Sequence, residues 1–592
     1  MIRVAVLDLD KCQPTKCGTP CVTYCPPVRN RIDAIKIAEN GYPVIDEVLC
    51  IGCGICVAKC PFDVISVVKL PTELESDLIH QYGVNSFRLY RLPYMEAGKV
   101  TGIIGRNGIG KSTAMKLIAG QLTPNLGRMG EVVSYEEVGR HFRGTLLQDY
   151  FTRLASGELR VGYKPQQVDV IPKVAKGRVR EVLMRLADES RVAQISQDLQ
   201  LTHLLDREVS ALSGGELQKL AIAATILRGR SVYIFDEPSS YLDIKQRMVV
   251  ASVIRGLSAG DNRVLVCDHD LAVLDYVSDI IFLFYGETSV YGIVSGPYGV
   301  REGINTYLEG YTPLENVRFR NYKITFQARS PQLEEVRAGE PIYWNAMRKS
   351  YDGFRLSVSE GCVYPGNVIG IVGQNGIGKS TFIKLLAGIE APDDGERLEY
   401  REISYKPQHP EAVDATVEEV LRRAAGDKFE GESYRSELFD PLRLNKIIDR
   451  RLTELSGGEL QKVAIAEALS RDAAIYLLDE PSAYLDVEER YVVAKLMKRM
   501  AIDHKSCIFL VEHDIAVLDF AATQIMVFLG RPGIEGFAQP PTDLRTGFNA
   551  LLRELGVTFR RDPATNRPRI NKPGSRLDRE QKALGEYYYL SS

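Results

Sequence analysis

Short apolar runs, each ending in a glycine-rich or acidic turn, punctuate this chain. VTGIIG (100–105) and VIGIVG (368–373) run into glycine-rich turns and then into stretches whose apolar residues fall at helical spacing. VYIF (232–235) and IYLL (475–478) end instead in an acidic pair. Such runs are strand-like, and their alternation with helical stretches predicts a mostly parallel α/β fold. The pattern is written twice. GRNGIGKST from Gly105 returns as GQNGIGKST from Gly373, 268 residues on, whereas LSGGELQK from Leu212 returns from Leu455, 243 on. The difference of 25 residues places an insertion in the first copy, before the shared YKPQ that ends at Gln166 and at Gln408. Leu146, Leu147, Tyr150, Phe151 and Leu154 fall at helical spacing between Gly144 and Gly157, so a surface helix-loop-helix is expected within about 130–160. GINTYL from Gly303 and GFNALL from Gly547, 244 apart, are followed by the arginine-bearing VRFRNYK and TFRRD, which read as matched hinge elements. The expected division is 1–74, 75–296, a hinge at 297–340, 341–545, and a second hinge with the tail at 546–592.

The duplicated turns carry phosphate chemistry. GxxxxGKS between a strand and a helix aims backbone N–H groups and a helix N-terminus at an anion. The residues concerned are Gly105, Asn107, Gly108, Gly110, Lys111, Ser112 and Thr113, and again Gly373, Asn375, Gly376, Gly378, Lys379, Ser380 and Thr381. Lys111 and Lys379 are expected to bridge the β- and γ-phosphates of ATP, with Ser112 and Ser380 on Mg²⁺. Asp236 and Asp479 would hold the same ion, leaving Glu237 and Glu480 as general bases toward water. His269 and His513 follow apolar strands, 32 and 33 residues after those glutamates, where a histidine can orient water or sense the γ-phosphate. Tyr82 and Phe87, then Tyr351 and Phe354, precede the phosphate turns and are read either as adenine-stacking rings or as core packing.

Composition adds a second chemistry. Eight of the eleven cysteines lie between Cys12 and Cys60. Cys50, Cys53, Cys56 and Cys60 form CxxCxxCxxxCP, the run in which three thiolates hold one iron–sulfur cluster and the fourth ligates another. By that crossover one [4Fe-4S] cluster takes Cys12, Cys17, Cys21 and Cys60, and the other takes Cys25, Cys50, Cys53 and Cys56. Structural zinc is the rival, although it favours two separated CxxC pairs. Cys267, Cys362 and Cys507 lie in apolar strand-like contexts and are expected in the core. A net charge of -3 gives no global pull toward polyanions. No apolar run reaches the ~18 residues of a membrane span and no signal pattern opens the chain, so a cytoplasmic location is expected.

LSGGE, a DEP strand, a YLD turn and a following histidine resemble the ATP-binding cassette superfamily over nearly all of 75–545. The resemblance implies two P-loop domains arranged head to tail. Ser213 and Gly215 would complete the site of Lys379, and Ser456 and Gly458 that of Lys111. Gln166 and Gln408 resemble the family's Q-loop glutamines, and Asp243 and Asp486 the aspartates that couple the sites. With the α+β ferredoxin-like N-terminus, the whole is similar to the ABC subfamily E ribosome-recycling factors, also called the ribonuclease L inhibitor family. That likeness implies a monomer whose ATP-driven closure moves the iron–sulfur domain and splits ribosomes together with a release or rescue factor. It implies contacts with small-subunit RNA and protein, for which His141, Arg143, Arg318, Arg320, Lys323, Arg560, Arg561, Arg567 and Arg569 are candidates, and it brings initiation factors in as further partners. A transporter ATPase half, an ATP-gated redox protein and an ATP-binding scaffold for initiation factors are the competing readings.

Overall fold

The structure is a computed structural model, and it describes residues 2–326, 339–396 and 402–588. Residues 327–338 of the first expected hinge and 589–592 of the tail therefore lie outside the described residues. At the N-terminus, strand Ile2–Leu7 pairs antiparallel with Ile65–Leu70, and a small ribbon joins Ile35–Ile37 to Pro43–Ile45. Three one-turn helices, Pro14–Cys17, Pro20–Thr23 and Pro26–Arg29, each begin on proline, whose fixed φ and missing N–H suit a first helical turn. They and Ile55–Lys59 bring the cysteines inward: Cys12, Cys21, Cys25 and Cys56 are buried.

Two large sheets follow with one strand order. In the first, Val161–Lys164, Val232–Asp236, Arg263–Cys267, Val100–Gly105 and Ile280–Glu287 run parallel, and Tyr291–Gly299 and the Leu78–Gln81/Arg88–Tyr90 ribbon extend the edge. The second repeats this with Ile403–Lys406, Ile475–Asp479, Cys507–Val511, Val368–Val372 and Gln524–Arg531. The central strands are buried along their whole length, as parallel strands covered on both faces must be. In both sheets the strand ending at the histidine lies between the one ending at the phosphate turn and the one ending at the acidic pair. Three C-terminal strand ends thus open on one crevice, where α/β sheets bind ligands.

Between residues 130 and 160 the first cassette forms helices Tyr135–His141 and Leu146–Ala155. Leu147, Tyr150 and Phe151 are buried, and the Tyr150 hydroxyl donates to Ile118 O at 2.7 Å, which seats the pair on the helix that follows the phosphate turn. Cys267 and Cys507 are buried, but Cys362 is exposed. On strand Gly361–Val363 its neighbour Val363 takes the inward place, and the period-2 alternation turns the thiol outward.

The two halves share one apolar core, to which the C-terminal segment contributes Phe559, Ile570 and Tyr588. Helices Val300–Glu309 and Leu544–Leu555 occupy equivalent places, each leading into a short hairpin. The arginines of those hairpins divide sharply. Arg318 and Lys323 face solvent, yet Arg320 is 5% exposed and Arg567 0%. Arg561 bonds Asp519 through both terminal nitrogens (2.6 and 2.7 Å), and Arg569 bonds Asp275 at 2.7 and 2.8 Å. Arg320, Arg561, Arg567 and Arg569 are therefore interior ion-pair partners and not an RNA-facing surface, which corrects the expectation for these four. Sequence alone supplied no carboxylates for them to meet.

Candidate nucleotide sites and cysteine centre

Each phosphate turn is built by glycines that adopt positive φ, with Gly110 at 97° and Gly378 at 94°. At Gly110 a Cβ would lie 2.7 Å from the Phe87 ring, so close approach as well as backbone freedom requires glycine here. Lys111 Nζ donates to Gly105 O at 2.6 Å and Arg106 O at 2.8 Å, and Lys379 Nζ to Gly373 O at 2.9 Å and Gln374 O at 2.7 Å. Both ammonium groups are thereby folded over their loops, and Ser112 Oγ meets Asp236 Oδ2 at 3.2 Å.

Burial and the adjoining Glu237 charge raise Asp236 to about 6, and burial also raises Asp479. A buried carboxylate of this kind stays ionised when a cation stands beside it. Glu237 behaves oppositely. Burial alone would raise it, but the adjoining His269 imidazole and the Lys111 ammonium hold it down at about 2, and Glu480 is held at about 2 by His513 and Lys379 in the same way. Gln166 Nε2 donates to Glu237 Oε1 at 2.8 Å and Gln408 Nε2 to Glu480 Oε1 at 2.9 Å. His269 Nε2 stands 3.5 Å from Glu237 and His513 Nε2 3.2 Å from Glu480. The structure thus gathers glutamine, glutamate and histidine at each crevice.

The halves meet head to tail. Asn107 N of the first phosphate turn donates to Asp486 Oδ2 at 3.0 Å, and Asn375 N of the second to Asp243 Oδ2 at 2.8 Å. Asn375 Nδ2 also reaches Tyr241 O at 3.4 Å. Tyr241 packs on Gly214 and Gly215, and Tyr484 on Gly457 and Gly458, so each LSGGE lies beside the opposite phosphate turn. Ser213 and Ser456 cap the helices Gly214–Leu227 and Gly457–Ser470 in capping boxes closed by Glu216 and Glu459. Asp243 and Asp486 cap the next helices and keep one carboxylate oxygen for the contact across the seam.

The four candidate aromatics separate into two kinds. Phe87 and Phe354 pack beneath the loop glycines, whereas Tyr82 and Tyr351 are 54% and 44% exposed. The Tyr82 hydroxyl shares a hydrogen bond with Thr113 Oγ1 at 3.1 Å, and that of Tyr351 bonds Glu390.

In the N-terminal domain Cys12, Cys17, Cys21 and Cys60 line one cavity. Burial raises Cys21 to about 11, with Cys17, Cys60 and Cys12 adding to it. Burial also raises Cys56 to about 11, with Cys50, Cys53 and Cys25 adding. Two groups of four thiols, each member disfavouring its neighbours' ionisation, suit an iron–sulfur core whose positive charge would offset four thiolates. Among the described residues no group of three or more His, Cys, Asp or Glu side chains is placed to hold a single metal ion.

Several participants were missed by motif reading. Lys164, Lys406, Gln218 and Gln461 all bond the backbone of the acidic pairs, and Arg247 Nη1 joins Asp270 at 2.7 Å to His513 O at 3.4 Å across the seam. The first four sit inside the repeated YKPQ and ELQK segments, so the repeat itself was an available signal.

This fold with these paired sites defines a twin-cassette ATP-binding cassette ATPase bearing an N-terminal iron–sulfur domain. Family matches agree: ABC transporter at 93–240 and 356–483, 4Fe-4S binding domain at 43–66, and a possible Fer4-like domain in RNase L inhibitor at 2–32. An uncharacterized ABC transporter ATP-binding protein of Methanocaldococcus jannaschii is 49% identical, with 100% of this chain and 98% of that one aligned. Translation initiation factor RLI1 of Saccharomyces cerevisiae is 43% identical over 100% of this chain and 98% of its own. A structure of ribosome-bound archaeal Pelota and ABCE1 superposes with a TM-score of 0.94 at 50% identity, covering 99% of each chain. A complex of archaeal ribosomal stalk protein aP1 with the archaeal ribosome recycling factor aABCE1 gives 0.83 at 50% identity over 88% of this chain and 100% of that one. The chain belongs to the RNase L inhibitor (ABCE1) family of ABC proteins. Among the described residues no helix is long and apolar enough to cross a membrane.

Proposed function

We propose that this ATPase is a cytoplasmic ribosome-recycling factor that works as a monomer. It uses closure on two ATP molecules to part ribosomal subunits, together with a release or rescue factor. The observation that carries the reading is the reciprocal seam, Asn107 to Asp486 and Asn375 to Asp243, in a chain whose cysteine-rich head is docked on one of the closing halves. That docking runs through Asn85, which donates to Ala5 O at 3.2 Å and Ile45 O at 3.0 Å and accepts from Ile45 N at 2.8 Å. Motion at the seam therefore has a rigid load to displace. The ribosome-bound Pelota–ABCE1 structure and the aP1 complex support the assignment of partners.

In this reading the division is 1–74 head, 75–296 and 341–545 cassettes, with hinges between and after. The phosphate turns, Lys111 and Lys379 grip the triphosphates, and Ser112 with Asp236, and Ser380 with Asp479, hold Mg²⁺. Glu237 and Glu480 take a proton from the attacking water. Gln166, Gln408, His269 and His513 orient that water and stabilise the glutamates as carboxylates. Ser213 and Gly215 close on the second nucleotide, and Ser456 and Gly458 on the first. The exposed Tyr82 and Tyr351 stack on adenine, while Phe87 and Phe354 support the loops. Cys12, Cys17, Cys21 and Cys60 hold one [4Fe-4S] cluster, and Cys25, Cys50, Cys53 and Cys56 the second. Bound there, such clusters would cross-link the short helices through their thiolates and supply one-electron chemistry.

The test is light scattering of purified ribosomes mixed with the protein, ATP and a release factor. A drop in scattering that needs ATP is expected. Unchanged scattering with an active ATPase refutes the recycling role.

A further inference from the structure

One pair of buried contacts lies just behind the groups that would meet nucleotide, and it recurs in both halves. Glu237 and Glu480 adopt φ of 48° and 45°, a left-handed conformation that a non-glycine residue holds only when its surroundings impose it. The backbone carbonyl of Glu237 accepts from Gln218 Nε2 at 2.6 Å and Lys164 Nζ at 3.2 Å. That of Glu480 accepts from Gln461 Nε2 at 2.7 Å and Lys406 Nζ at 3.3 Å. Both glutamines are 0% exposed, and their amide oxygens are buried with no partner. An unsatisfied buried acceptor is unfavourable, so each amide is kept in the core for its donor alone.

The donors belong to telling elements. Gln218 stands on helix Gly214–Leu227, little more than one turn beyond its cap Ser213, and Gln461 stands likewise beyond Ser456. Ser213 and its glycines lie beside the second phosphate turn, while the glutamate that Gln218 holds stands at the first. We infer that Gln218 and Gln461 are positioning residues that carry closure at one nucleotide site to the glutamate of the other. The inference rests on the base and composite-site roles proposed above. As LSGGE docks, its helix shifts as a rigid rod, and the amide turns the strained peptide that aims the Glu237 carboxylate. Gln461 does the same for Glu480. Lys164 and Lys406, from the strands that lead to Gln166 and Gln408, steady the same carbonyls from the other side.

The experiment measures ATP turnover of the full chain in two backgrounds that each leave one base. Gln218→Met keeps the side-chain length and removes the donor. In the Glu480→Gln background it should lower kcat about tenfold or more with KM for ATP held within about twofold, since small misplacements at a reacting centre cost this much. In the Glu237→Gln background it should change turnover less than about twofold, because the residue acts through Glu237. The melting temperature should hold or rise, as an unsatisfied acceptor leaves the core. Gln461→Met should show the opposite selectivity. Equal losses in both backgrounds, or a loss accompanied by raised KM or a lowered melting temperature, would mark a merely structural glutamine and overturn the inference. If the Glu237→Gln/Glu480→Gln double variant still hydrolyses ATP, the base assignment itself fails, and the inference with it.

Discussion

Replacing Asp275 by asparagine should loosen the C-terminal segment by about 3 kcal/mol, at the low end of what breaking a buried ion pair costs. Asp275 accepts from Arg569 Nε at 2.7 Å, from Arg569 Nη2 at 2.8 Å and from Arg567 Nη1 at 3.3 Å. Arg567 is fully buried, and its Nε and Nη2 have no partner, so Asp275 carries most of the burden of its charge. Asparagine keeps the shape and removes the compensation. The low end applies because Asp562, also buried, stays bonded to Arg569 at 3.2 Å. At about 1.4 kcal/mol per decade, the opened population should rise on the order of 100-fold. Limited proteolysis of the segment after Leu555, at protease levels where cleavage follows the opening equilibrium, reads that population directly. Arg576→Ala, which removes an exposed pair with Glu580, is the control and should change the rate several-fold at most. If Asp275→Asn is cleaved no faster than Arg576→Ala, the buried clasp does not hold the segment.

Asp562 is held at about 2: burial pushes it up, but the N–H of Ala564, the Asn305 amide, the N–H of Thr565 and the Arg567 charge outweigh it. A depressed carboxyl contributes stability above the ordinary Asp value near 4 and loses it as pH falls toward 2, so protease resistance of the tail should decline over that window and Asp562→Asn should flatten the decline. Asn85→Ala strips three hydrogen bonds from a residue that is 4% exposed, and it should speed amide exchange at Ile45 by roughly 10- to 100-fold while leaving the cassette strands protected. Cys12→Ser should halve the iron bound per chain from about eight to about four, and loss of all iron would contradict two separate groups of ligands. Cys362→Ser, at an exposed thiol, should shift stability by less than about 0.5 kcal/mol in thermal melts.

Where chemistry demands fixed spacing, residue order was a sufficient guide. GxxxxGKS, the acidic pair and the histidine stand on adjacent strand ends because each sits at the C-terminus of an apolar run, and runs are visible in a sequence. The grouping of the cysteines followed from the crossover of the CxxCxxCxxxCP run, whose last thiol joins the neighbouring set. What escaped depended on which way a side chain turned. The hinge arginines looked like a polyanion surface, but Arg561 and Arg569 are matched by Asp519 and Asp275, distant in sequence. Asp519 and Asp275 lie on equivalent helices, Ile515–Ala521 and Leu271–Val277, in runs that read simply as apolar. Cys362 illustrates the same limit within three residues, where alternation and not hydropathy set its direction.

The hairpin formed by Phe559–Arg561 and Pro568–Ile570 is sewn to Asp519 of one half and Asp275 of the other. Both cassettes precede it along the chain, so translation delivers them before the stitch that joins their backs. A chain ending between Asp543 and Arg561 would carry every phosphate-gripping residue and still want this fastening. The joint between the halves thus depends on residues that follow both of them along the chain, and loss of residues 561–570 would be felt first in how the halves are held together.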